Sequence, residues 1–154
     1  MLRYALALAL IVIAAGAQEK KPTMSHHASG TFDVKIAPQS LSDIAAGPSL
    51  GRMSLDKQYH GDLDATGKGE MLTAMSPEIK NSGTYVAVER VEGTLSGRKG
   101  TFCLQHMGVM NRGAQSLTVT VVPDSGTGEL TGISGTLTIK IEGAKHFYEF
   151  DYKL

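Results

Sequence analysis

One cysteine, Cys103, stands in 154 residues. With no partner thiol in the chain, an internal disulfide is excluded and stability has to come from packing alone. Cys103, within Thr101-Phe102-Cys103-Leu104-Gln105, reads as a small apolar wall residue, because a nucleophilic thiolate needs an identifiable activating base. An excess of either charge is missing too. Lys and Arg number 15 and Asp and Glu number 15, which removes the electrostatic footprint of a protein that binds nucleic acid or an anionic membrane surface. No apolar run reaches the roughly 20 residues a helix needs to cross a bilayer, and no segment keeps a helical period over three turns. Complete catalytic and metal signatures are also lacking. His26 and His27 are adjacent, so on a strand they point to opposite faces and cannot share one metal; neither a metal nor a cofactor is expected. Asp124-Ser125-Gly126 occurs once, where aspartic peptidases bring two aspartates together, and it reads equally as a turn.

The longest apolar run, Ala5 to Ala15, follows Met1-Leu2-Arg3-Tyr4 and closes in Ala15-Gly16-Ala17. A positive start, a short apolar centre and an A-x-A end are the layout of a secretory signal. Residues 1–17 are therefore expected to be a removed leader, 18–23 a linker and 24–154 one domain, in a secreted or periplasmic protein. Met24-Ser25-His26-His27 is a second natural start, and translation from there leaves the protein in the cytoplasm. The mature chain is long enough for one real core and too short for two domains.

What is present is strand alternation, in seven or eight segments bounded by glycine and other turn residues. The first runs from about Ser25 to Ile36, with Ala28, Gly30, Phe32, Val34 and Ile36 on one face; the second, Arg52 to His60, places Met53, Leu55, Lys57 and Tyr59 together. Between them, 37–51 is the longest connection, with room for a short helical turn. Leu63 to Met75 carries Gly67 and Gly69 two apart, a spacing that suggests a bulge where the sheet curls. Thr84 to Leu95 and Thr101 to Met110 flank Ser96-Gly97-Arg98-Lys99-Gly100, a hairpin turn. Leu117 to Val122, Leu137 to Glu142 and His146 to Tyr152 complete the set, with the glycine-punctuated corner Pro123 to Gly135 before the last two.

Short antiparallel strands joined by tight turns, without crossovers, predict an all-β fold: a single up-and-down β-barrel of about eight strands, closed so that no edge is exposed. Such a barrel is just wide enough for side chains or one small ligand. Several strands are apolar on both faces, more than a barrel filled only from within requires. Either a helix or loop covers the outside, or subunits pack there as a homo-oligomer.

Ser25-His26-His27-Ala28-Ser29-Gly30-Thr31-Phe32, Gly61 to Thr66 with Gly69 to Leu72, Tyr85 to Val91, Leu104-Gln105-His106 and the run Val121 to Gly135 resemble a family of small, mostly bacterial proteins known only as a domain of unknown function. The resemblance covers 24–154. It implies an allene oxide cyclase-like barrel, and Gly126 to Gly135 is similar in style to the glycine-rich corner of those cyclases and of plant dirigent proteins. Barrels of that type hold small, largely apolar molecules in the lumen and steer reactive intermediates; a shared fold does not transmit the activity.

Period two gives the candidate site. If Phe102 and Leu104 face inward, so does His106, and Glu89 goes with Tyr85 and Val91. Counted from a turn centred near residues 98 and 99, Glu89 lies opposite Met107 to Val109, within one or two pairs of His106. A buried ionisable pair of this kind is a proton-transfer device or a paired structural element. Tyr59 and Lys57 share the inward face, Tyr59 as a donor and Lys57 as an anchor for an anionic head, unless it reaches solvent. Lys57, Tyr59, Tyr85, Glu89, Phe102 and His106 are thus the expected ligand-contacting residues, and His106 and Glu89 the candidates for catalysis. Glu70 reads as a solvated side chain or a barrel-mouth carboxylate, and His60 and His146, near turns, as exposed. The leading expectation is a protein that binds a small, mainly apolar molecule in its lumen. The alternatives are a cyclase- or isomerase-type enzyme acting on such a molecule, and a structural barrel with a completely filled interior.

Overall fold

The computed structural model of the chain describes residues 24–42, 47 and 49–154. The expected leader and linker, and residues 43–46 and 48 of the connection expected to hold a helical turn, lie outside the described residues.

Long stretches of alternating inward and outward side chains give β1 (Ser25–Gln39), β2 (Leu50–Gly61), β3 (Leu63–Met75), β4 (Gly83–Leu95), β5 (Arg98–Asn111), β6 (Ala114–Val121), β8 (Ser134–Glu142) and β9 (Lys145–Lys153), with a two-residue β7 (Thr127–Gly128) between. The antiparallel order β4-β3-β2-β1-β9-β8-β6-β5 is joined end to end by a β4–β5 pairing. The result is a closed, eight-stranded, up-and-down barrel. β7 extends the wall beside β5 at Gly100 and Thr101, which β6 does not reach. No helix among the described residues is long and apolar enough to cross a membrane.

Two details of the expected wall are corrected. The β4–β5 hairpin closes on Ser96 (φ 48°) and Gly97 (φ 83°), not on residues 98 and 99. Both turn residues are left-handed, as a two-residue turn matched to strand twist requires. Glu89 therefore pairs with Leu104, and His106 with Ala87. Secondly, β3 carries no bulge. Its pairing is unbroken on both sides, with β2 and with β4, and Gly67 and Gly69 are needed for space instead.

The two ends of the barrel differ. One is packed solid: Leu63, Leu95, Phe102, Leu104 and Phe150 are essentially inaccessible, and Leu130 and Ile133 from the glycine corner plug the opening. Phe102 stacks on Phe150 with centroids 5.7 Å apart. Each such side chain contributes about 1.5–3 kcal/mol by burial, so this end anchors the fold. The other end, where β1, β3, β5 and β8 finish, is open.

Outside, Leu72, Val86, Val88, Met107 and Val109 on β3 to β5 remain 43–58% exposed. Among the described residues neither a helix nor a loop covers them. Cys103, half-buried, also faces outward, and its backbone N–H donates to Ser125 Oγ at 3.0 Å while that hydroxyl donates to the Val122 carbonyl at 2.7 Å. Asp124 beside it has φ 58°. The triplet Asp124-Ser125-Gly126 is a turn that ties the corner to β5.

Candidate functional site

The open half of the lumen is a chamber of about 430 Å³, within the roughly 300–1,000 Å³ usual for small-molecule sites. Its wall is largely apolar, with Phe32, Leu55, Met71, Met110 and Ile139 among the lining residues, and Lys57, Tyr85, His106 and His146 are its ionisable groups. The upper lumen is thus not filled by side chains.

Below the chamber lies a compact polar cluster contributed by three strands. Glu89 on β4 is completely buried, and Lys57 on β2 and His106 on β5 are each only 5% exposed. Lys57 Nζ donates to Glu89 Oε2 at 2.7 Å and to the Tyr59 hydroxyl at 3.2 Å. The Tyr59 hydroxyl in turn donates to Glu89 Oε1 at 2.9 Å. His106 Nε2 lies 3.1 Å from Glu89 Oε2, so Nε2 carries the proton in this network. The Lys57 ammonium also sits 4.8 Å from the centroid of the Phe32 ring, a favourable cation–π arrangement.

Two glycines make this geometry possible. A Cβ on Gly67, which lies between the strands carrying Tyr59 and Glu89, would overlap Glu89 Oε1 and crowd Tyr59. A Cβ on Gly108 would overlap the ring of Tyr85, its direct cross-strand partner. Bare backbone at these points lets a carboxylate and an aromatic ring lie flat inside a narrow barrel.

Burial by itself would raise the Glu89 pKa, but the hydrogen bond from His106 and the charge of Lys57 outweigh it and hold the carboxyl below its ordinary 4.5. Burial first, then the neighbouring Glu89 carboxylate, push the Tyr59 phenol well above 10.0. Glu89 is therefore an anion and Tyr59 a neutral donor. Because the Glu89 pKa is lowered on folding, its contribution to stability is complete above the unfolded value and is lost as pH falls through the lower, folded one. Urea midpoints are expected to drop below pH 4.5 more steeply for the native chain than for Glu89→Gln; equal slopes would show that the carboxylate gains nothing from its partners.

Of the expected site residues, Lys57, Tyr85 and His106 line the chamber. Tyr59 and Glu89 lie behind them, bonded to them but not at its surface. Phe102 faces inward yet belongs to the packed end, stacked on Phe150, and does not reach the chamber. His146, expected to be exposed, instead lines the chamber, its ring 5.0 Å from that of Phe32. Period two places it on the face of Tyr148 and Phe150, which is the usable signal. Glu70 is on the outer wall, held by both Nε and Nη2 of Arg52 at 2.8 and 2.9 Å. His60 is exposed near Asp33. His27 is also on the outer wall, its two ring nitrogens 2.7 Å from Asp151 and 2.8 Å from Glu149; the hydrogen bond to Asp151 first, then that to Glu149, raise its pKa.

Fold and cluster together define a closed antiparallel barrel with one plugged end, one open end and a buried ionic floor between them. Residues 28–152 match the family described as protein of unknown function, DUF3224, and the chain belongs to that family. A crystal structure of a protein with unknown function from the same family, from Shewanella oneidensis MR-1, is 48% identical, with a TM-score of 0.77 over 84% of this chain and 96% of that one. No curated protein matches the chain.

Proposed function

We propose that the barrel binds a small, mainly apolar and electrically neutral molecule in the open half of its lumen, with the polar end of that molecule against Lys57 and His106. The observation that carries this reading is a largely apolar chamber whose polar floor is already balanced in charge. Lys57 was expected to anchor an anionic head. Its charge is instead matched by Glu89 at 2.7 Å, and an added buried anion would lack a counter-ion, which is strongly unfavourable. A neutral head group suits the floor better.

The donors and acceptors agree. An ammonium has three N–H groups, and two of those on Lys57 go to Glu89 and Tyr59. His106 Nδ1 has no protein partner among the described residues, and no buried side-chain nitrogen or oxygen there goes unpaired, so Nδ1 is accessible. One remaining donor and one remaining acceptor complement a hydroxyl.

The fluorescence of N-phenyl-1-naphthylamine, a neutral apolar probe, tests this. Saturable enhancement is expected with the native chain. Val34→Phe, which fills the chamber, should weaken it by about tenfold or more, a change of 1.4 kcal/mol, and 1-decanol should displace the probe at lower concentration than decanoate. No enhancement at all would dismiss the lumen as a site; decanoate outcompeting decanol would dismiss the neutral head.

One observation favours a second reading. A carboxylate holding one imidazole nitrogen leaves the other available as a base toward the chamber, with Lys57 beside it as an electrostatic stabiliser. Isomerisation of the bound molecule through His106 would then disappear in His106→Ala while probe binding survives.

A further inference from the structure

Seven of the eight seams of the barrel are zipped along most of their length; the β4–β5 seam, for example, runs continuously from Gly83–Met110 to Leu95–Arg98. The seam between β6 and β8 is different. It holds a single pair, Thr120–Thr136. Toward the open end, Ala114 to Val119 and Leu137 to Glu142 face each other without ladder pairing, although each stays bound to its other neighbour, β5 or β9.

The interior side chains along this stretch belong to the chamber. Gln115 and Leu117 on β6 and Ile139 and Ile141 on β8 all line it, and Leu117 is 40% and Ile141 61% exposed. Just beneath them Val119 and Leu137 are almost inaccessible, so exposure begins above that pair. The chamber lining therefore continues from the floor up this part of the wall to the rim. Parting β6 from β8 here separates no paired position of the ladder, whereas parting any other seam separates several.

We propose that the β6–β8 seam is a lateral portal, and that the ligand is chain-shaped: a neutral polar head at Lys57 and His106, and an unbranched apolar tail that leaves the chamber between Leu117 and Ile139. This deepens the reading of the lumen as a ligand site and rests on it. The upper end of the barrel is open as well, so chain length alone does not separate the two exits; closing the seam does.

A series of 1-alkanols from hexanol to tetradecanol, competed against N-phenyl-1-naphthylamine, tests it on the full chain. Affinity should rise about fourfold per methylene while the tail is being buried and then level off without falling. Two variants close the portal: Leu117→Trp, which places a ring in it, and Thr118→Cys/Thr138→Cys in a Cys103→Ser background, which allows a disulfide across the outward face of the seam. In Leu117→Trp, and in any oxidised double-cysteine chain, the longest alcohols should lose tenfold or more relative to hexanol. Retention of the long alcohols with the portal closed would overturn the proposal, because the tail would then leave by the rim. Rejection of the long alcohols by the native chain would also overturn it. If no alkanol of any length binds the native chain, the lumen reading itself fails.

Discussion

Replacing Glu89 with alanine is expected to remove about 3–5 kcal/mol of unfolding free energy, the usual effect of stripping one partner from a buried ion pair. Glu89 is fully buried and receives hydrogen bonds from Lys57, Tyr59 and His106. Without it an ammonium that is 5% exposed keeps only the Tyr59 hydroxyl, and that hydroxyl loses its own acceptor. The charge, not the shape, is at stake, so removing the whole cluster should be far milder than removing its centre. A fourfold change, Lys57→Met, Tyr59→Phe, Glu89→Leu and His106→Leu, is expected to fall within about 2 kcal/mol of the native chain or to exceed it. Urea unfolding measures both. A loss below about 1 kcal/mol in Glu89→Ala, the range of a solvated surface pair, would mean that water reaches the cluster.

Gly67→Ala is expected to destabilise by about 1–3 kcal/mol, in the range of overpacked cores, although it adds one methyl group to a strand and normally improves strand or helix propensity. The methyl would occupy the space of Glu89 Oε1 and press on Tyr59 Cε2, 3.0 Å away. Both sides of β3 are fully paired, so the backbone cannot step aside without breaking a ladder. Because the clash is chiefly with the carboxylate, its effect should shrink when Glu89 is already alanine. A double-mutant cycle should therefore show a coupling of about 0.5–3 kcal/mol, and additive losses would place Gly67's role in backbone conformation instead.

The sidedness of the barrel was legible because period two is a strict rule. Phe102, Leu104 and His106 had to share a face, as did Tyr85, Glu89 and Val91, and the burial of these residues follows that alternation. Depth along the barrel was not legible. Phe102 and His106 share a face and a strand, yet one stacks in the plugged end and the other lines the chamber; the difference depends on where the glycine corner inserts Leu130 and Ile133. Register was missed because Ser96-Gly97-Arg98-Lys99-Gly100 offers two places for the turn, and only the pair Ser96-Gly97 supplies adjacent left-handed residues. The diagonal contact of His106 with Glu89 exists despite that, since a long carboxylate reaches a neighbour one step along the ladder.

The partnership of Lys57 with Glu89 crosses β3 entirely, and its signal in the sequence was Gly67, a residue small enough to look through. The loose β6–β8 seam left no mark in either strand. Both alternate as regularly as the others, and their single pair, Thr120–Thr136, lies beside the corner at 122–133.

Native mass spectrometry of the protein taken from its own host tests the central claim most directly. The account predicts one small molecule per chain, retained by the native protein, absent from Val34→Phe, and recovered as an uncharged, mainly apolar compound with a polar head. A native chain that emerges bare, together with a lumen that gives no enhancement of the neutral probe, would contradict it.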